Sequence, residues 1–285
     1  MDVNSIISVC TQKDIYAWSL VSKSILKNVV ANKYIVIVPD IYFENFIHIS
    51  PDQYTVIKES NVLEINIDYC RKKLKGLSAN RAPWYYQQLL KISALEQYSR
   101  DSHLNSIIWD ADTFIVKKLA FIGKPNIVIG HEKVHKPYFD LITELGFNTS
   151  KDISLISQFI QANHIQISGF IDILSNTGSK WYDRILSYPS DNELFFSEYE
   201  TIGRYLLFHH NYNIYNANWS RDIPEEAIKL DGLESILQNS GYEYVGIEYP
   251  DLMKKISLLD KLKFYKFTYG SFGILKLILK KLIKK

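Results

Sequence analysis

The sequence predicts an α/β fold built on a parallel sheet, and three observations carry that prediction. Short apolar runs alternate with longer stretches of helical periodicity through the first half of the chain, the pattern of successive βαβ units. The composition is that of a packed protein, 47% hydrophobic and 14% aromatic over 285 residues, whereas disordered chains are poorer in aromatics and richer in net charge. No internal repeat or low-complexity linker interrupts the chain, so the body reads as one continuous domain.

The elements follow in order. SIISV (5–9) reads as a buried strand. Asp14 to about Asn28 reads as a helix with Ile15, Trp18, Leu20, Ile25 and Leu26 at its apolar positions. YIVIVP is a second strand, stopped by Pro39 and Asp40. This spacing is a βαβ unit with a right-handed crossover, so the first half is Rossmann-like. After a less clear stretch, Trp84 to Tyr98 is a strong helix with Pro83 just before it. SIIW is a short strand running directly into Asp110-Ala111-Asp112, and NIVIG is a further strand. Pro137 to Leu145 reads as a helix stopped by Gly146. Ile153–Ala162, Phe170–Leu174 and Glu198–Phe208 read as three more helices.

Composition excludes several classes. Two cysteines, Cys10 and Cys70, form no CxxC pair and no disulfide framework, which points to a reducing compartment. The start MDVNSIISVC has no basic region followed by a long apolar core, and no run approaches the roughly 18 apolar residues of a spanning helix. The expected location is cytoplasmic.

The net charge of +2 hides an asymmetry. Residues 254–285 carry ten lysines against one acid, Asp260, for a net of +9, leaving 1–253 at −7. In FGILKLILKKLIKK (272–285) the apolar residues fall on about half a helical wheel, Leu277 excepted, with Lys276, Lys280, Lys281 and Lys284 opposite. Such a helix suits the headgroup plane of an anionic membrane. A helix packed on the protein body is the other reading. Nucleic acid is not expected as a partner, because arginines and polar residues do not interleave with the lysines.

Asp110 and Asp112 stand two residues apart, just beyond a buried strand. Open α/β sheets bind ligands at such strand ends, and two carboxylates there can hold a hard divalent cation, Mn2+ or Mg2+, against a diphosphate. A polar turn with Asp112 as a cap fits the same pattern.

Four blocks, RAPWYYQQLLKISAL, SIIWDADTFI, HKPYFDLI and FFSEYETIGRYL, together resemble a family of bacterial GT-A-type glycosyltransferases of polysaccharide and lipopolysaccharide assembly. The likeness runs over roughly residues 4–220. It implies a GT-A-like fold, a nucleotide-sugar donor with UDP as the commonest nucleotide, a metal at Asp110-Ala111-Asp112, and transfer to a glycan or lipid-linked acceptor. Domain bounds follow: residues 1–253 for the transferase, divided near 125 into donor and acceptor halves, and 254–285 for the membrane-association tail. Thr11, Gln12 and Asp14 match the nucleoside region, and Arg81, Gln88 and Lys91 would lie near the donor phosphates and sugar. His164 matches a position near the acceptor cleft. The enzyme would be peripheral on the inner face of the bacterial plasma membrane.

An inverting transfer needs a carboxylate to take the acceptor hydroxyl's proton. Ser197 before Glu198 and Glu200 looks like a helix N-cap followed by first-turn acids. The resemblance to GT-A enzymes, whose inverting members often place the base at such a helix start, implies Glu198 as the preferred base and Glu200 as the second; either acid can also serve only the helix start. A retaining enzyme would need neither. His209 and His210 give no distinctive ligand match. His131-Glu132-Lys133-Val134-His135 fits H-E-x-x-H, but a zinc protease needs both histidines on one sustained helix, and Pro137 obstructs one here. Two rivals stand beside the transferase. A sugar-nucleotide nucleotidyltransferase would be expected to carry a glycine-rich loop where ISVCTQKD has none. A non-catalytic, membrane-bound glycan-binding protein would keep the fold without turnover.

Overall fold

The computed structural model describes residues 3–100, 102–147, 150–175, 178–222 and 239–247, together with 261, 262, 266 and 268. The amphipathic helix expected over 272–285 lies outside the described residues.

The chain starts with β1 (Val3–Val9), α1 (Ile15–Asn28), β2 (Ala31–Val38), α2 (Phe43–Ile49), β3 (Tyr54–Lys58) and α3 (Ile67–Lys73). The long α4 (Ala82–Ser99) leads to β4 (Ser106–Trp109) and β5 (Thr113–Ile115). Then come β6 (Asn126–Val128), α5 (Tyr138–Glu144), β7 (Phe159–Ala162), α6 (His164–Ser175), α7 (Trp181–Leu186) and α8 (Glu198–His209). β8 (Asn213–Tyr215), β9 (Trp219–Ser220) and β10 (Tyr244–Gly246) complete the described strands.

The central sheet has the order β3-β2-β1-β4-β7. β1 to β4 are mutually parallel, and β7 runs antiparallel to β4. Side chains alternate across it with period two. Ile7, Val9, Ile35, Ile37 and Ile108 enter the core under α4. Ile6, Val36, Val38, Ile107 and Trp109 enter the second core under α1. A sheet buried on both faces explains why these strands read as continuous apolar runs. β5, β10 and β9 form a smaller sheet against the α1 face, and β6 pairs with β8.

One expected helix is a strand. In 153–162, Ile153, Leu155, Ile156, Phe159 and Ile160 mimic helical spacing, yet Ser154 forms a β-bridge with Gly130 and β7 begins at Phe159. Gln158, between them, has a φ of 70°, a left-handed conformation that no helix accommodates. Pairing with β4 outweighs the local periodicity.

Candidate active site

Strand order places a crevice. From β1 the chain turns one way to β2 and β3, and the other way to β4, so the carboxyl ends of β1 and β4 flank the switch point where open sheets take ligands. A cavity of about 480 Å³ opens there. Val9, Lys13 and Asp14 contribute from the end of β1, and Asp110, Ala111 and Asp112 from the end of β4.

Lys91 binds the floor of this cavity together. It projects from α4 and is buried, with Nζ 2.7 Å from Asp110 Oδ1 and 2.7 Å from Glu198 Oε1. The same ammonium donates to the Tyr199 hydroxyl at 3.0 Å and stands 4.4 Å from that ring's centroid. Tyr199 in turn donates to Asp110 Oδ1. Burial works against the charge on Lys91, but Asp110 and then Glu198 outweigh it and hold the ammonium well above its usual range. Burial raises the Glu198 carboxyl; Lys91 opposes this and the charge of Asp110 adds to it. Burial also raises Asp14, against the pull of Lys13 and of the Thr11 hydroxyl, which donates to it at 2.9 Å.

The sequence candidates divide on this geometry. Asp14, Lys91, Asp110, Ala111, Asp112 and Glu198 line the cavity. Thr11 supports Asp14 from behind, and Gln12 is turned to the backbone carbonyl of Thr268 at 2.5 Å. On α4, a one-residue step turns the side chain by 100°, so Gln87 lines the cavity. Gln88 instead faces the protein interior, accepting from the Glu198 N–H at 2.9 Å. Gln88 thus seats the start of α8 and does not reach a donor. Arg81 pairs with Glu193 at 2.7 Å, half-exposed and outside the cavity lining.

Glu200, the second candidate base, is not brought to the cavity. It points to the opposite side of α8, where its two oxygens are taken by Arg204 at 2.5 Å and by the Leu155 N–H at 2.9 Å. Both partners of that pair are buried, and Ser197 caps the helix by accepting from the Glu200 N–H. His164 is likewise not brought to the cleft. β7 runs antiparallel to β4, so Ala162 lies opposite Ser106 and the following His164 emerges at the far end of the sheet. Its Nδ1 faces the Ser168 hydroxyl at 3.4 Å.

Several cavity residues escaped sequence reasoning, Lys13, Gln87, Glu132, Gln158, Tyr199 and Arg221 among them. Arg221 and Glu132 both line the cavity and are paired with each other. Glu132 belongs to the H-E-x-x-H stretch, which is not helical here: His131 packs on Trp219 and His135 Nε2 lies 2.9 Å from the Leu194 carbonyl. Gly130 lets this loop approach, since a Cβ there would lie 2.3 Å from the Ile156 carbonyl oxygen. No signal marked Arg221 in advance; its place depends on β9 pairing with β10, Trp219 with Tyr244 and Ser220 with Val245, far along the chain.

Among the described residues, no group of three or more His, Cys, Asp and Glu side chains is gathered as a metal cluster. Asp110 and Asp112 still fit a hard cation of the kind that takes one or two carboxylates and completes its shell with substrate phosphates and water. The donor set is all oxygen, as Mn2+ and Mg2+ prefer.

No protein family's sequence model matches the chain, and no curated protein matches it. Solved structures of distant sequence do. One is the apo form of the bifunctional glycosyltransferase WbbM, at 11% identity and a TM-score of 0.46. That match covers 93% of this chain and 51% of the other, so this chain spans about half the length of WbbM. Another is the galactosyltransferase LgtC in complex with donor and acceptor sugar analogues, at 11% identity and a TM-score of 0.45, covering 85% of this chain and 86% of that one. Among the described residues no helix is long and apolar enough to cross a membrane.

Proposed function

We propose that the protein is a GT-A-type glycosyltransferase that moves a sugar from a nucleotide donor, UDP-linked, to a glycan or lipid-linked acceptor in bacterial surface polysaccharide synthesis. The observation that carries this reading is the acid pair Asp110 and Asp112 at the switch point, opposite Asp14 and backed by buried Lys91. A diphosphate brings more negative charge than one divalent ion cancels, and Lys13 and Arg221 line the same cavity. A Mn2+ or Mg2+ ion held by Asp110 and Asp112 would neutralise charge on the departing diphosphate.

In the proposed step the acceptor hydroxyl oxygen attacks the anomeric carbon while Glu198 takes its proton. The bond from that carbon to the donor phosphate oxygen breaks, and the nucleoside diphosphate leaves with the electron pair. Burial raises the proton affinity of Glu198 toward the working pH, which suits a base. The basic segment 254–285 would hold the enzyme on the anionic inner leaflet, near a lipid-anchored acceptor.

The deciding experiment screens nucleotide sugars with Mn2+ or Mg2+ for released nucleotide. Asp110→Asn and Asp112→Asn are expected to lower release at least a hundredfold, and chelation to do the same. Full release from both variants in chelator would remove the metal mechanism. For the tail, the full-length chain with Lys276, Lys280, Lys281 and Lys284 changed to Glu should stop co-sedimenting with anionic vesicles; unchanged sedimentation would dismiss the membrane role.

A further inference from the structure

Gln158 has no part in the chemistry above, yet it lines the same cavity and is 7% exposed. Its side-chain amide finds no hydrogen-bond partner among the described residues. Its amide atoms are not among the fully buried unpaired ones, so they open on the cavity and bond to whatever fills it, water or ligand. Its backbone adds a second observation. Among the described residues, the positive-φ positions other than glycine are Gln158 and Asn211. Asn211 is exposed, in a loop just after α8, and belongs to the residue types that tolerate this conformation. Gln158 is buried, and glutamine is not such a type.

The conformation is held from both sides. The Gln158 carbonyl accepts from the Asp110 N–H at 3.0 Å, and the neighbouring Ser157 carbonyl accepts from the Tyr244 hydroxyl at 3.1 Å. Glycine would meet the same backbone demand without strain. What glutamine adds there is a side-chain amide, on a residue that lines the same cavity as Asp110.

We propose that Gln158 is a specificity-determining residue that binds the hydroxyl groups of the transferred sugar. This rests on the donor reading given above. A primary amide both donates and accepts, as a sugar hydroxyl does. It carries no charge, so the phosphates belong with the cationic Lys13 and Arg221, and the neutral polyol belongs with Gln158.

The test measures binding to the full-length protein of UDP and, in parallel, of UDP-glucose, UDP-galactose and UDP-N-acetylglucosamine, each with Mn2+. In Q158G the Kd of the preferred UDP-sugar should rise about tenfold, which is about 1.4 kcal/mol at 25 °C. The Kd of UDP should stay within about twofold, and thermal stability should hold or rise as the strain is released. Q158N retains an amide and tolerates the left-handed backbone, so it should fall between wild type and Q158G; it decides the matter if Q158G does not fold. Equal binding of the UDP-sugar by wild type and both variants overturns the proposal, as does an equal loss of UDP and UDP-sugar. Wild-type protein that binds no nucleotide at all overturns the donor reading itself, a different result from either.

Discussion

Two buried ion pairs stand within one turn of each other on α8 and do different things. Glu198 pairs with Lys91 and Glu200 with Arg204, and in both cases the partners are nearly excluded from solvent. The Glu200 pair is closed: Arg204 also donates to the carbonyls of Ser150 and Ile153 and stacks over Phe139, so its groups are spent on joining α8 to the 150–155 loop. The Glu198 pair borders the cavity and shares its lysine with Asp110. Burial and charge are alike in the two. Access to a ligand-sized space is what separates a candidate catalytic acid from a structural one.

The sharpest way to break this comparison is to neutralise each acid in turn. Glu198→Gln keeps the shape of the side chain, and turnover should fall by about 10²–10⁴, the usual contribution of a general base. The wild-type pH profile of kcat/KM should lose activity as pH drops through the raised ionisation of Glu198, because only the deprotonated acid accepts a proton. The variant should lose that acid limb. A variant with wild-type turnover would place Glu198 among the structural acids.

Next in size, Glu200→Ala or Arg204→Met leaves a charge buried without its partner, a change that costs about 3–5 kcal/mol. Urea unfolding should show that loss, while kcat of the folded fraction stays near wild type. A large fall in kcat with unchanged stability would reverse the two roles.

The smallest effect comes from a third acid. Burial, with the charge of nearby Asp40 adding, raises Glu59 to about 7. Its folded-state value therefore lies above its unfolded one, and the folded protein binds the extra proton between about pH 4.5 and 7. Stability should decline as pH rises through that window. Glu59→Gln should remove the decline, with a higher melting temperature at pH 8 and little change at pH 5. Equal melting curves at both pH values would show that no such strain exists at Glu59.

How much of this the sequence disclosed follows from the range of the forces involved. β1, α1, β2, α4 and β4 were legible because their apolar spacing reports directly on a sheet covered on both faces. β7 was not, because its pairing with β4 is a long-range matter and its local spacing resembles a helix. β5, β9 and β10 are two or three residues long and give no periodicity to read. At the site, the Asp110–Asp112 pair, Lys91 and Glu198 were singled out separately, but that one ammonium joins two of the acids is a fact of tertiary structure. Glu198 and Glu200 could not be separated in advance, since a first-turn acid looks the same whichever way it points. Gln88 missed the cavity by one helical step, and His164 by the direction of a strand.

The shared lysine has a further meaning for how this protein can change over generations. Lys91 is the shared partner of Asp110 and Glu198, so its loss would strand both acids while loss of either acid leaves the other still paired, and substitutions among the three will not combine additively. A change at that lysine is therefore expected to require compensating changes at both acids, a coupling that the exposed Arg81–Glu193 pair outside the cavity does not impose.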